Sequence, residues 1–149
     1  MTPLISILLP VYNAASFIKE CIQSIQNQSL TDFETIIVDD GSKDETNEII
    51  SKLVQNDHRF KRFSFSENRG IVSALNYGLE KCRGTWIARM DADDIMHPDR
   101  LSKQLAFMKQ HQDIDIQGAQ VQLIRDDASI TIGQHNYINW GNQLTLDFE

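Results

Sequence analysis

Cysteine and histidine are scarce in this sequence, and neither shows the spacing of a ligand set. Cys21 and Cys82 are the two cysteines among 149 residues, and each falls where apolar residues recur at helical spacing. Both are therefore expected to be buried free thiols. The four histidines lack the spacing of zinc ligands, which argues against a zinc site.

Basic residues and long apolar runs are also few. The 14 Lys and Arg stand against 21 Asp and Glu, a net charge of −7 without a basic patch, so no nucleic-acid partner is expected. The longest strongly apolar run, "LISILLPV", is far shorter than a membrane span and is interrupted by Ser6. The N-terminus lacks the basic segment and cleavage site of a signal peptide. We therefore expect no transmembrane segment in this chain and a cytoplasmic location.

What the sequence does contain is an alternation of strand-like and helix-like segments. Strands are predicted at residues 5–12, 34–40, 60–65 and 85–90. Helices are predicted from the spacing of apolar residues at 17–25, 49–54, 71–79 and 101–108. Four strand–helix repeats predict an α/β fold, a Rossmann-like and mostly parallel sheet with helices on both faces. The tail from residue 115 onward is expected to form strands and turns.

Local signals predict where some of these helices begin or end. Ser42 and Glu45 form an S-x-x-E pattern, which predicts a capping box at the start of the second helix. Gly84 is predicted to end the third helix, and Pro98 to be the first residue of the fourth.

Unusual polar groups follow each predicted strand: "PVYN", "DDGS", "ENRG" and "DADD". In open parallel sheets, ligands bind outside the carboxyl ends of the strands, so these four loops are expected to face one crevice. Asp39 could accept a hydrogen bond from a pyrimidine N–H or a ribose hydroxyl there. Tyr12 is either a stacking surface for a base or a core residue. The positive charge of Arg69 at a helix start is unfavourable for the helix dipole. This indicates a compensating anion, such as a diphosphate, near Arg69; the alternative is that the Arg69 side chain is solvated.

Asp91, Asp93 and Asp94 in "RMDADDI" repel one another at neutral pH, so either water at a loop tip or a divalent cation must offset the repulsion. In an extended segment Asp91 and Asp93 would leave the same face. Oxygen ligands favour Mg²⁺ or Mn²⁺. The EF-hand, G-x-G-x-x-G and P-loop patterns are absent, which argues against those classes of site.

The stretches "ISILLPVYNAASFIKECIQSIQNQSLTDFETIIVDDGSKDET" and "ENRGIVSALNYGLEKCRGTWIARMDADDIMHPDRL" together closely resemble the family-2 inverting glycosyltransferases of GT-A fold. The resemblance implies a metal-dependent enzyme that uses Mn²⁺ or Mg²⁺. Its donor would be a nucleotide-diphosphate sugar, most often a UDP-sugar, and its acceptor a glycan or a lipid-linked molecule. A full-length enzyme of this kind could lie at the inner face of the membrane.

The resemblance also implies roles for particular residues. Pro10, Val11 and Tyr12 would line the base, and Asp39 would bond to the pyrimidine ring. Arg69 would lie near the nucleotide. The nucleotide-binding set is completed by Asp91, Ala92 and Asp93, and the metal ligands would come from Asp93, Asp91 and Asp94.

The catalytic carboxylate that such enzymes carry further along the chain has no clear counterpart. Asp126, Asp127 and Asp147 lack the surrounding pattern, so no catalytic base is assigned. We therefore expect residues 1–149 to be one GT-A domain, the donor-binding part of a longer enzyme. A non-catalytic nucleotide-binding module is the alternative. A nucleotidyltransferase is a weaker one, since "PVYNAASF" lacks the glycine-rich basic loop that such enzymes carry.

Overall fold

The computed structural model describes residues 2–122 and 124, in which strands and helices alternate as the sequence predicts. The elements are β1 (Ile5–Val11), α1 (Ile18–Gln26), β2 (Phe33–Asp39), α2 (Thr46–Val54), β3 (Phe60–Ser64), α3 (Ile71–Leu79), β4 (Trp86–Arg89) and α4 (Arg100–Gln110). The predicted boundaries of the strands differ from these by one residue at most. Pro98 lies in the turn before α4 rather than in its first position.

The four strands form one sheet in the order β3-β2-β1-β4, and all three pairings are parallel. The α/β prediction is therefore confirmed. β1 and β2 stay paired up to Val11 and Asp39, whereas β1 and β4 are paired only up to Leu8 and Arg89. The chain changes direction across the sheet between β1 and β4, which is where open α/β sheets bind ligands.

Pro10 shows why β1 and β4 separate at this point. Met90 N donates to Leu8 O (3.0 Å), so the backbone groups of Leu8 face β4. Alternate residues of a strand face the same neighbour, which places the nitrogen of Pro10 on the β4 side as well. Proline has no N–H to donate there, so the ladder between the two strands ends at this point.

Helices cover both faces of the sheet. One face carries Ile7, Leu9 and Ile37 and packs against apolar residues of α1, α2 and the first part of α4. The other face carries Leu8 and Val38 and packs against α3. This two-sided burial explains the nearly continuous apolar sequence of β1 and β2.

The amino ends of the strands are fixed by a buried carboxylate. Glu34 accepts hydrogen bonds from Ser6 Oγ (2.8 Å), Lys61 Nζ (2.7 Å) and Arg83 N (2.7 Å), which join β1, β2, β3 and the segment before β4. Burial alone would raise the pKa of this carboxyl, but the bonds from Lys61, Ser6 and Arg83 outweigh it and lower the pKa to about 2. The site predicted at the carboxyl ends therefore sits on a sheet that is fixed at its opposite end.

Two further local predictions are wrong. The capping box predicted from Ser42 and Glu45 does not form at α2, because the Ser42 hydroxyl is bonded to Asp39 instead. At the start of this helix, Asp44 Oδ1 accepts a hydrogen bond from Thr46 N (3.1 Å). Gly84 does not end α3, which stops at Leu79. Glycine is needed at position 84 because a Cβ there would lie 2.4 Å from Ser6 N of β1.

The expected burial of Cys82 is also wrong, and β4 is more exposed than β1 and β2. β4 is an edge strand of the described sheet, and Ile87 is 44% exposed. Cys21 is buried, whereas Cys82 is only half-buried.

The chain divides into two compact units, Met1–Phe107 and Met108–Glu149. In the second, residues 111–122 and 124 contain turns and irregular backbone but none of the strands predicted there. The rest of the predicted tail, with Asp126, Asp127 and Asp147, lies outside the described residues. Within the described part of the chain, every helix is too short or too polar to cross a membrane.

Candidate nucleotide site at the carboxyl ends of the strands

The loops after β1 and β2 are bonded directly to each other. Asn13 N donates to Ser42 Oγ (2.9 Å), and Asn13 Oδ1 accepts from Lys43 N (2.8 Å). Asn13 has a φ of 47°, a left-handed conformation that asparagine tolerates better than most residues. Its side chain thereby fixes the chain just beyond Tyr12, which is 48% exposed.

Asp39 lies at the end of β2 and is only 2% exposed. Its carboxylate accepts hydrogen bonds from Ser42 N (3.2 Å), from Ser42 Oγ and from Asn47 Nδ2 (2.6 Å). The predicted bond from Asp39 to a pyrimidine ring remains a prediction, but a base would have to compete with these donors. In this structure Asp39 fixes the "DDGS" loop.

Asp40 joins the "DDGS" loop to the loop that follows β3. Its two carboxylate oxygens accept one bond each, from Arg69 N (2.7 Å) and Gly70 N (2.9 Å). These N–H groups precede α3, and the carboxylate supplies the negative charge that this helix start favours. Asp40 is therefore an anion at this helix start within the protein, while the diphosphate expected near the Arg69 side chain remains a prediction.

Gly41 allows the two loops to approach this closely. It has a φ of 75°, and a Cβ on it would lie 2.5 Å from the backbone carbon of Glu67. The side chain of Arg69 is exposed and lies over the ring of Phe65, at 4.8 Å from the ring centroid. The sheet and these bonds thus bring "PVYN", "DDGS" and "ENRG" into one wall, which we call the base wall (residues 10–13, 39–42 and 67–70).

The acid loop (residues 91–98) follows β4. Asp94 N donates to Asp91 O (3.2 Å), so residues 91–94 form a turn and not the extended segment assumed from the sequence. The Asp91 carboxylate pairs with Arg89 at 3.0 Å, whereas Asp93 and Asp94 are exposed. Ala92 is half-buried and packs against the core.

The charges of the acid loop affect their neighbours. Asp94 is exposed but partly desolvated, and this desolvation, followed by the charges of Asp93 and Asp91, raises the pKa of its carboxyl. Burial, followed by the charges of Asp94, Asp93 and Asp91, raises the pKa of the Cys21 thiol to about 12, so this thiol is un-ionised at neutral pH. The charges of Asp91 and Asp93 thus act against the ionisation of Asp94.

The donor atoms of the acid loop fit a hard divalent cation. Among the described residues, no group of three or more His, Cys, Asp or Glu side chains is arranged to hold a metal ion by itself. Mg²⁺, however, is usually bound by one or two carboxylates together with substrate phosphates. This arrangement suits the acid loop, because the carboxylates of Asp93 and Asp94 are exposed and a cation would offset the repulsion between the aspartate charges.

Comparison with known proteins identifies the family. The model of glycosyl transferase family 2 matches residues 6–147 of this sequence. The chain belongs to this family. The resemblance inferred from the sequence motifs is confirmed, and membership in a glycosyltransferase family removes the support for a nucleotidyltransferase.

One relative in this family is an uncharacterized glycosyltransferase of Haemophilus influenzae, 40% identical over 137 residues, which cover 86% of this chain and 55% of the relative. The chain thus spans about half the length of this relative. TarS from S. aureus, solved in complex with UDP and with UDP-GlcNAc, is 29% identical with a TM-score of 0.68. The match covers 72% of this chain and 32% of the TarS chain bound to UDP.

The mannosyltransferase PcManGT from Pyrobaculum calidifontis, solved with GDP-Man and Mn²⁺, is 25% identical with a TM-score of 0.67. That match covers 72% of this chain and 33% of the mannosyltransferase. These similarities confirm the GT-A fold predicted from the sequence.

Sequence reasoning missed Asn13, Asp40 and Asn47 as individual residues of the site. Asn13 has a detectable signal, because asparagine directly after a strand often marks a left-handed turn. Asp40 contacts a loop that is remote in sequence, and Asn47 bonds from α2 back to Asp39; the single sequence gives no signal for either contact.

Proposed function

We propose that this chain binds a nucleotide-diphosphate sugar, with a UDP-sugar as the donor, for inverting transfer to a glycan or lipid-linked acceptor. The observation that carries the proposal is the base wall. Three loops from separate strands are tied together by hydrogen bonds beside the point where β1 and β4 separate. The UDP complexes of TarS support the choice of nucleotide.

The base would lie along the backbone of Pro10 and Val11, with the exposed ring of Tyr12 as its stacking surface. Asp39 and Asp40 supply acceptors only, which suits a base edge that carries an N–H. Each oxygen of Asp40 accepts a single bond from the protein, whereas those of Asp39 are shared among the donors of Ser42 and Asn47. We therefore assign the base contact to Asp40, with Asp39 holding the loop.

The diphosphate would be recognised mainly by side chains. The N–H groups of Arg69 and Gly70, just before α3, are already bonded to Asp40, so these two are not available to an anion. The exposed guanidinium of Arg69 remains, and a planar guanidinium suits phosphate oxygens.

Asp93 would hold Mn²⁺ or Mg²⁺ together with the diphosphate, and Asp94 and Asp91 would act as ligands or hold its water shell. Such a cation, when bound, stabilises the charge on the departing diphosphate. Asp91 would be less available than Asp93 as a metal ligand, because its carboxylate is paired with Arg89. No catalytic base is assigned among the described residues.

UDP should bind in the presence of Mn²⁺ at least about tenfold more tightly than CDP, because uracil has an N–H at N3 where cytosine has an acceptor. A buried acceptor left without its donor costs about 1–3 kcal/mol. Calorimetric titration with UDP, CDP, dTDP and GDP, each with Mn²⁺ and with EDTA, measures this. Equal affinities for UDP and CDP would rule out a base contact by these carboxylates, and absence of binding in every titration would overturn the proposed function.

A further inference from the structure

Three polar side chains of the α1 segment point toward the acid loop although the surrounding core is apolar. Cys21, Ser24 and Gln28 follow one another at intervals of three and four residues, so they share one side of the segment. Their exposed fractions are 1%, 9% and 4%. We call them the α1 polar row.

Gln28 and Ser24 bind the distal half of the acid loop and the start of α4. Gln28 Nε2 donates to His97 O (2.8 Å), and Gln28 Oε1 accepts from Leu101 N (3.2 Å). Ser24 Oγ accepts from Met96 N (2.9 Å). Both nitrogen and oxygen of the Gln28 amide are used, so a buried group that would otherwise be costly is satisfied by the loop.

Cys21 binds the other end of the same loop. Its Sγ donates a weak hydrogen bond to Asp91 O at 3.6 Å, directly after β4. The row therefore contacts the acid loop at the first aspartate and again at residues 96 and 97. All of these contacts are to backbone atoms, so they leave the carboxylates of Asp93 and Asp94 unobstructed.

We propose that the α1 polar row is a positioning device, which fixes the backbone of the acid loop so that its aspartates are held ready for a cation and a diphosphate. The aspartates repel one another, and a loop without anchors at both ends would relax by moving them apart. An apolar residue at position 28 could fill the same space but could not hold the loop backbone. The inference rests on the proposed function, which supplies the ligand of the loop.

Gln28→Met tests the proposal, because methionine keeps the length of the side chain and removes its amide. Gln26→Met is the matched control: Gln26 Nε2 donates to Leu53 O (3.2 Å), so this variant loses a bond from α1 to the end of α2 instead. Ser24→Ala is a milder second variant, since alanine favours the helix and only the hydroxyl is lost.

Two readouts on the 149-residue chain are expected to change together. Amide hydrogen exchange of residues 91–97 without ligand should quicken about tenfold in Gln28→Met, and less in Ser24→Ala, but not in Gln26→Met. The gain in UDP affinity that Mn²⁺ provides should fall by about tenfold in Gln28→Met alone. Unchanged exchange in Gln28→Met and Ser24→Ala, or equal changes in Gln28→Met and Gln26→Met, would overturn the positioning role.

The two readouts also separate this inference from the proposed function. If the unaltered chain gains no UDP affinity from Mn²⁺, the metal part of the proposed function fails. The exchange of residues 91–97 still decides whether the row anchors the loop, because that measurement needs no ligand.

Discussion

Asp93→Asn should weaken the binding of UDP in the presence of Mn²⁺ by about 10- to 100-fold, the range seen when support for a bound metal is removed. Asp93 is exposed in the acid loop, and the chain carries a net charge of −7. A diphosphate approaching these carboxylates is repelled unless a cation lies between them. Asparagine keeps the size of the side chain but loses its charge, so the cation is held less tightly. Calorimetric titration of UDP gives both affinities.

The same variant should bind UDP in EDTA no more weakly than the unaltered chain, since without the cation the Asp93 carboxylate only repels the ligand. Asp32→Asn is the matched control, because it makes the same change of charge at an exposed position just before β2, at the amino end of that strand. The metal role of Asp93 would be refuted by equal losses in Mn²⁺ and in EDTA, or by an equal loss in the control.

Gly41→Ala should lower the free energy of unfolding by about 2–6 kcal/mol, a large part of the stability of a small domain. Two costs add. A φ of 75° strains any residue with a side chain, at about 1–3 kcal/mol, and the new methyl carbon would meet the backbone of Glu67 at 2.5 Å. Overpacking of this kind typically costs about 1–3 kcal/mol more. Because backbone and not a flexible side chain is in the way, the base wall itself must open.

Gly70→Ala separates these two costs. Gly70 has a φ of 85° but would meet nothing within 4 Å, so alanine there carries the backbone strain alone. Urea unfolding of both variants should therefore show the larger loss for Gly41→Ala. If the two losses are equal, the close approach of the "DDGS" and "ENRG" loops is not a significant constraint.

The order and type of the elements could be predicted from the sequence because periodicity reports burial directly. The runs that became β1 and β2 are covered on both faces, and their continuous apolar pattern indicates this. α3 shows the limit of that reasoning. The apolar pattern that predicts α3 includes Ile71 and Leu79, yet these residues are 53% and 52% exposed. The residues of α3 that face the sheet are Ala74 and Gly78. A Cβ on Gly78 would lie 2.3 Å from Leu8 Cδ1, so small residues are needed where this helix meets β1.

The location of the candidate site could be predicted, but the partners of its residues could not. The rule that parallel sheets bind ligands at their carboxyl ends placed the four loops at one edge. Gly41 and Gly70 both have positive φ, and the backbone conformation around them determines which neighbours Asp39 and Asp40 contact. Periodicity carries no information about such turns. The contacts of Asp39 with Ser42 and Asn47, and of Asp40 with Arg69 N, are the reason that we propose Asp40 and not Asp39 for the base contact.

Paramagnetic broadening of amide NMR signals by Mn²⁺ tests most directly whether a metal and a nucleotide bind together at the carboxyl ends of the strands. The isotope-labelled chain is saturated with UDP, and a small amount of Mn²⁺ is added, with Mg²⁺ as the diamagnetic control. We expect the signals of residues 91–94 to weaken first, followed by those of the base wall around Tyr12 and Arg69. The amino ends of the strands, near Glu34 and Arg83, should keep their signals. Broadening centred at those amino ends, or on residues outside the acid loop, would contradict the proposed site.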